Sequence, residues 1–217
     1  MEINNVKLEW LGHDGYKIIT SDNLKIYIDP YKLDKKHNKK DAGIILISHN
    51  HFDHLSPEDL RMVRNENSLV IAAKECVDKL KQEGFKNIKE VEPGEIFKED
   101  GISIEVVPAY NVDKNFHPKV NKNVGFNITV NDISIYHCGD TDVIPEMKNI
   151  KTDIALVPVS GVYVMNAEEA ALAVNDIIKP SKFAIPMHYG SIVGSEEDAI
   201  KFKKAVRTCD VLILNKE

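Results

Sequence analysis

The residues best suited to chemistry lie in the segment SHNHFDHLS, which places three histidines and an aspartate within six positions. His49 and His51 are two residues apart, so in an extended chain both side chains leave the same face and can bind one metal ion. Asp53 and His54 follow where the chain turns and can face a second ion, since two-metal hydrolytic sites hold their ions ~3.5–4 Å apart. A surface group of loop histidines is the plainer alternative, but three histidines with an acid at this spacing favour a metal centre. The ligand types suit two Zn²⁺ ions, with Mn²⁺ or Fe²⁺ as alternatives.

The elements that must position this segment can be predicted from the neighbouring patterns. Four β-rich runs, VKLEWLG, YKIITS, LKIYIDP and AGIILISH, precede or enter the histidine segment and are bounded by turn residues. Ser56 followed by Pro57 predicts a helix start, so the histidines lie between a strand and a helix. Further on, DIALVPVSG and KFAIPMHYG are typical of buried strands, and helices are predicted from about Ala167 and after Ser195. The run DVLIL predicts a last strand.

Composition limits the class of protein. A chain of 217 residues without a linker or low-complexity segment predicts one α/β domain over residues 1–217. A net charge of −6 argues against a nucleic-acid partner, and no apolar stretch approaches the ~20 residues of a membrane helix. Three cysteines without a C-x-x-C pair indicate reduced thiols and a cytoplasmic protein. The five lysines between Lys32 and Lys40 either attract an anionic small molecule or form a solvated loop.

The pattern H-x-H-x-D-H resembles the signature of the metallo-β-lactamase superfamily. The segment YHCGDTD supplies Asp140 where members carry a metal-bridging aspartate, and IPMHYG supplies His188 where they carry their last histidine ligand. The segments WLGHDG and IDP further resemble the branch of ascorbate phosphate lactonase-like and N-acyl-phosphatidylethanolamine phospholipase D-like hydrolases. The resemblance spans nearly the whole chain and implies a four-layer αβ/βα sandwich, in which two mixed β-sheets flanked by helices deliver ligands to one groove.

One ligand position departs from the superfamily pattern. Members place a third histidine of the first metal site after the strand that here ends VVPAYN, and this chain has Tyr110 and Asn111 there. The nearest replacement is His117, in a polar loop that can fold back over the site. The alternatives are a solvated loop histidine with a weak first site, or a single bound ion. We expect the ligand set His49, His51, Asp53, His54, His117, Asp140 and His188.

Three further residues are candidates for supporting roles. His13 follows Gly12 in a tight turn, and is either a simple turn residue or a substrate-contacting residue on the rim of the site. Asp29 ends a strand, and is either a turn residue or a carboxylate that accepts a hydrogen bond from a metal-bound imidazole. Tyr110 and His13 are candidates to stabilise a developing oxyanion.

These residues predict a metal-dependent hydrolase. A metal-activated water or hydroxide would attack a small ester, lactone or phosphodiester, with Asp53 as ligand and proton acceptor. No phosphate-binding G-x-x-x-x-G-K-[ST] loop, G-x-S-x-G elbow or H-E-x-x-H motif competes with this interpretation. The alternative is a metal-binding sensor or scaffold without catalysis, suggested by the missing third histidine. Chelation would abolish turnover in the first case and lower only thermal stability in the second.

Overall fold

Two seven-stranded β-sheets form the framework of the molecule, and the computed structural model describes residues 1–217. Four α-helices accompany them: α1 (Pro57–Val63), α2 (Val77–Gln82), α3 (Ala167–Leu172), which continues as a π-helix over Ala173–Ile178, and α4 (Glu196–Ala205). The strands are β1 (Glu2–Ile3), β2 (Val6–Gly12), β3 (Gly15–Ile19), β4 (Lys25–Ile28), β5 (Ala42–Ile47), β6 (Arg64–Ala73), β7 (Ile88–Val91), β8 (Ile96–Glu99), β9 (Ile102–Pro108), β10 (Val124–Val130), β11 (Ile133–His137), β12 (Ile154–Pro158), β13 (Phe183–Met187) and β14 (Asp210–Val211).

The second half of the chain repeats the strand order of the first. In each sheet the first four strands pair antiparallel in sequence order, and the last three are added in parallel. The β2–β3 turn at His13 and Asp14 therefore corresponds to the β9–β10 loop that carries His117. The end of β4, at Asp29, likewise corresponds to the end of β11, near Asp140. The candidate site residues therefore lie at equivalent strand ends and hairpin connections of the two sheets.

Helices and sheets form the four layers that the family resemblance implies. One continuous cluster of 60 buried apolar residues includes strands of both sheets, so the two sheets share a core. Helices α1 and α2 contact β6 and β7, whereas α3 and α4 contact β12 and β13. The predicted class, two mixed sheets flanked by helices, is confirmed.

Local signals account for most element boundaries. The Ser56 hydroxyl accepts a hydrogen bond from the Asp59 amide, and Asn166 forms a reciprocal capping box with Glu169, so both predicted helix starts are confirmed. The last strand, predicted over DVLIL, is only Asp210–Val211, and the prediction missed β8 (Ile96–Glu99). Both are edge strands, where one-sided pairing weakens the sequence pattern. None of the helices has the length and apolar character needed to cross a membrane.

Candidate metal centre

The predicted ligands converge from both sheets on one cleft. The first group follows β5, and the others follow β9, β11 and β13, so loop side chains are held by rigid strands. Two backbone hydrogen bonds join the sheets here: Val124 N–H donates to Ser48 C=O over 3.1 Å, and His188 N–H donates to His13 C=O over 3.2 Å. The side chains that meet are His13, Asp14, His49, His51, Asp53, His54, His117, Asp140 and His188.

Three histidines form the first group of metal-ligand atoms. The His49 Nε2 and His117 Nε2 atoms each lie 3.0 Å from His51 Nδ1, and all three nitrogen atoms lie within 4.8 Å of one another. His49 and His117 are buried, and His51 is the most exposed of the three. His117 thus adds a third histidine to the group of His49 and His51, although the chain has no histidine at positions 110 and 111.

The loop carrying His117 is folded back by its own polar contacts. The Asn111 N–H donates to the His117 carbonyl over 2.9 Å, and the Asn111 side-chain amide donates to the Tyr163 carbonyl over 2.6 Å. Asp142 accepts a hydrogen bond from Val112 N–H over 2.8 Å and forms an ion pair with Lys114. These contacts hold the loop in its folded-back conformation. Within the loop, His117 has a left-handed backbone conformation with φ 53°.

Asp140 lies between the two ligand groups. Its Oδ2 is 3.4 Å from His117 Nε2 and 3.3 Å from His188 Nε2, and its Oδ1 is 3.4 Å from His54 Nε2. A second group contains His13, Asp14, His54 and His188, whose ligand atoms again lie within 4.8 Å of one another. A carboxylate that faces both groups matches the role of a bridging ligand.

Asp53 lies at the open side of the second group. Its Oδ2 is 3.0 Å from His13 Nε2 and 3.8 Å from His54 Nε2, and 13% of its side chain is exposed. Burial acts to raise the pKa of Asp53, but the hydrogen bond with His13 and the charge of His54 outweigh it and lower that pKa. Asp53 is therefore ionised at neutral pH and partly accessible to solvent.

Asp29 orients His49 and His54 through hydrogen bonds on the side of their rings that faces away from the cleft. It is fully buried, and it accepts hydrogen bonds from His54 Nδ1–H over 2.9 Å, from Ser48 N–H over 2.9 Å and from the Ser48 hydroxyl. Because Ser48 Oγ donates to Asp29, it accepts from His49 Nδ1–H over 3.0 Å. These bonds direct the Nε2 atoms of His49 and His54 into the cleft.

Two further buried histidines, His117 and His188, are fixed in the same way. The His188 Nδ1–H donates to Ser160 Oγ over 2.9 Å, and that hydroxyl donates to the Val162 carbonyl over 3.2 Å. The His117 Nδ1–H donates to the Tyr163 carbonyl over 3.2 Å. Each outer nitrogen carries the proton, so each Nε2 offers a lone pair to the cleft.

The inward atoms meet the requirements of a cation site. His54 Nε2, His188 Nε2, Asp140 Oδ1 and both carboxylate oxygens of Asp14 are buried and have no hydrogen-bond partner. Buried polar atoms without partners are costly, and a divalent cation would satisfy these lone pairs together. The residues present therefore fit a divalent metal centre.

The carboxylates also hold two of these histidines in their charged form when no metal competes. Burial acts to lower the pKa of His188, but Asp140 and Asp14 outweigh it and raise that pKa to about 9. Burial likewise opposes the charge on His54, and Asp140 and Asp29 raise its pKa well above the ordinary value. Burial and the charge of His54 keep the pKa of His49 well below it.

Tyr110 does not join the cleft, and several residues of the site were not predicted. The Tyr110 hydroxyl donates to Glu146 over 2.9 Å and accepts from Lys119 over 3.1 Å, which gives no support to a role in the reaction. The unpredicted residues are Asp14, Ser48, Asp142 and Ser160. Asp14 directly follows His13, and Ser48 directly precedes His49. This adjacency to predicted site residues is the one sequence signal that could have identified them.

A cavity of about 440 Å³ adjoins the cluster through His13. Its walls include the stacked rings of Trp10 and Tyr189, whose centroids are 5.0 Å apart, and it also contains Lys32 and Lys216. A larger cavity of about 780 Å³ lies beside α1 and β6 and includes none of the clustered residues. The smaller cavity is the one in contact with the candidate centre.

Comparisons with known proteins find a matching family model, similar relatives and a solved structure of similar fold. The family model described as the beta-lactamase superfamily domain matches residues 7–188. The UPF0173 metal-dependent hydrolase of Methanobrevibacter smithii is 33% identical over 230 residues, covering 97% of this chain and 94% of the relative. That of Methanopyrus kandleri is 29% identical over 214 residues, covering 93% and 91%. The solved structure of Igni18, a metallo hydrolase from Ignicoccus hospitalis, is 26% identical with a TM-score of 0.80, covering 97% and 95%.

Proposed function

Because the chain belongs to the beta-lactamase superfamily, among the UPF0173 metal-dependent hydrolases, we propose that it hydrolyses a small ester, lactone or phosphodiester at a two-metal centre. Metal-dependent hydrolysis is the activity of this group, and the substrate and the number of ions are the proposal. One observation carries it: four buried histidines present lone pairs to the same cleft while their outer nitrogens are hydrogen-bonded. The narrower lactonase-like branch stays a prediction.

We assign the ligands by group. His49, His51 and His117 would hold the first ion, Asp53, His54 and His188 would hold the second, and Asp140 lies where it could contact both. Bound divalent ions, Zn²⁺ first and Mn²⁺ or Fe²⁺ as alternatives, supply Lewis acidity and lower the pKa of water. The charge of the cluster also supports two ions. The carboxylates of Asp14, Asp29, Asp53 and Asp140 carry four negative charges when ionised, which two divalent cations would balance.

Asp53 and His13 perform the proton chemistry in this proposal. Asp53 has a lowered pKa and solvent access, so at neutral pH it can accept the proton of an attacking water. His13 holds the carboxylate through its Nε2, and the same ring lines the cavity beside the centre. His13 therefore joins the proton acceptor to the space where a leaving group departs.

The cavity supports a substrate with an apolar part and a negative charge. Trp10, Tyr31 and Tyr189 form an aromatic wall, and Lys32 and Lys216 supply positive charge. Lys32 belongs to the lysine-rich segment that suggested an anionic substrate. We place the substrate here and not in the larger cavity, because that one does not contact the ligand cluster.

We further propose one hydrolase domain over residues 1–217, located in the cytoplasm. All three cysteines are free thiols, and Cys76 and Cys138 are buried, which suits a reducing compartment. The alternative of a sensor or scaffold without catalysis rested on the absent third histidine. His117 now lies beside His49 and His51, so nothing in the structure favours that alternative.

The proposed function is tested with Asp53→Asn in metal-loaded protein. We expect turnover of a phosphodiester and lactone panel to fall by about 10²–10⁴-fold, the usual range for a lost general base. Asp113→Asn, which changes a carboxylate that is 72% exposed on the neighbouring loop, is the matched control and should keep full activity. Metal content is measured in parallel by plasma mass spectrometry. Undiminished turnover in Asp53→Asn with unchanged metal content would refute the catalytic role.

A further inference from the structure

Asp14 is the buried group for which the assignments above provide no partner. Its side chain is fully buried, and neither carboxylate oxygen forms a hydrogen bond. Most buried carboxylates in this protein are well bonded. Asp59, for example, accepts from the Lys32 and Leu33 amides over 3.0 and 2.9 Å and from the Ser56 hydroxyl over 2.6 Å. A buried carboxylate without partners is destabilising unless a cation neutralises it.

The position of Asp14 is fixed by its backbone. His137 Nε2–H donates to the Asp14 carbonyl over 2.9 Å, and the preceding residue, His13, has φ 54° in the tight β2–β3 turn. The turn is equivalent to the β9–β10 loop of the second sheet, which supplies His117. The β2–β3 turn thus directs Asp14 to the cleft, and the β9–β10 loop directs His117 to the same cleft.

The Asp14 carboxylate faces three ring nitrogens. Its Oδ2 lies 3.5 Å from His54 Nε2, 3.7 Å from His13 Nε2 and 3.8 Å from His188 Nε2. These separations are long for hydrogen bonds. They are close to the roughly 3–3.5 Å expected between two ligand atoms that are each bound ~2.0–2.2 Å from one ion. Two of the nitrogens, those of His54 and His188, also lack hydrogen-bond partners.

We propose that Asp14 is a further ligand of the ion held by His54 and His188, and that it shifts the preference of this position from Zn²⁺ towards Mn²⁺. This inference rests on the two-metal centre proposed above. With Asp53 and Asp140, the position has three carboxylates and two imidazoles. Zn²⁺ in proteins prefers four ligands, whereas Mn²⁺ favours oxygen donors and octahedral coordination.

The test compares Asp14→Asn with unchanged protein in metal titrations. Free Mn²⁺ is followed by electron paramagnetic resonance, and Zn²⁺ binding by competition with a chromophoric chelator. We expect two Mn²⁺ sites in the unchanged protein, and at least tenfold weaker Mn²⁺ binding at one of them in Asp14→Asn, with a smaller change for Zn²⁺. Identical Mn²⁺ and Zn²⁺ affinities in both proteins would overturn the proposal.

Thermal unfolding with and without Mn²⁺ gives a second, independent measurement. The rise of the midpoint on adding Mn²⁺ should be smaller in Asp14→Asn than in the unchanged protein, whereas Asp59→Asn, the matched control, should have a lower midpoint but the same rise on adding Mn²⁺. A lower midpoint in Asp14→Asn together with unchanged metal binding would assign Asp14 a purely structural role. If that variant does not fold, Asp14→Ala is used in the same titration. Unchanged protein that binds no metal would instead refute the proposed function itself.

Discussion

Replacing Asp29 with asparagine should weaken metal binding although Asp29 is not itself a proposed ligand. The carboxylate accepts hydrogen bonds from Ser48 N–H, the Ser48 hydroxyl and His54 Nδ1–H. Asparagine keeps the shape but has only one acceptor oxygen. If that oxygen accepts from the Ser48 amide, the asparagine NH₂ group faces His54 Nδ1–H, and two donors meet. His54 then relieves the clash by moving its proton to Nε2, the atom that should bind metal.

The size of this effect can be estimated in two ways. Loss of a carboxylate that orients a metal-bound histidine typically costs ~10–100-fold in metal affinity, or about 1.4–2.7 kcal/mol. A buried donor left without its acceptor costs about 1–3 kcal/mol, which is the same range. We therefore expect Asp29→Asn to weaken the ion at the His54 position by ~10–100-fold.

The assay is isothermal titration calorimetry of metal-free protein with Zn²⁺ and with Mn²⁺, with unfolding curves to confirm that the variant is folded. Asp41→Asn is the matched control, because Asp41 accepts a hydrogen bond from the Tyr27 hydroxyl over 2.8 Å and belongs to none of the ligand groups. Folded Asp29→Asn protein that binds both ions as tightly as the unchanged protein would refute the reasoning.

Two further predictions concern the ligands directly. His117→Ala should reduce the metal content from about two ions per chain to about one by plasma mass spectrometry, whereas His37→Ala, outside the cluster, should not; two retained ions would exclude His117 as a ligand. Below about pH 9, His188 in the metal-free protein is charged beside Asp140 and Asp14, and the pKa of His54 is also raised well above its ordinary value, so an ion at this position must displace both protons. Apparent affinity should therefore rise more than tenfold per pH unit as the pH increases toward 9. Because the pKa of His188 lies above the ordinary 6.5, the stability that its charge gives the metal-free protein is complete below pH 6.5 and lost as pH rises through about 9, which denaturant titrations at several pH values would detect.

Local sequence was sufficient for the parts of the site that lie on short, regular segments. The histidine segment could be predicted because its residues are close together in sequence and lie in the short connection between β5 and α1, whose start Ser56 caps. Asp29 could be predicted because an acid at a neighbouring strand end is well placed to support an imidazole. These interactions depend on backbone geometry that the pattern itself specifies.

Residues placed by long-range contacts were harder to predict. The position of His117 depends on Asp142 and Lys114, which close the loop across a distance in sequence that no local pattern reveals. Tyr110 was a candidate to stabilise a developing oxyanion, but its hydroxyl donates a hydrogen bond to Glu146, 36 residues away. Asp14 was overlooked because an acid beside glycine in a tight turn ordinarily has only a conformational role. The repeated strand order of the two sheets also left no repeat visible in the sequence.

Ligands contributed by both sheets determine when the centre can be completed during biosynthesis. A nascent chain that has emerged only as far as α1 presents His49, His51 and His54 but none of the donors from the second sheet. His188 follows β13 and pairs its backbone with His13, so the second group of ligand atoms can assemble only after β13 has been synthesised. We therefore expect metal to bind after both sheets have formed, and a bound ion would link the two halves of the chain.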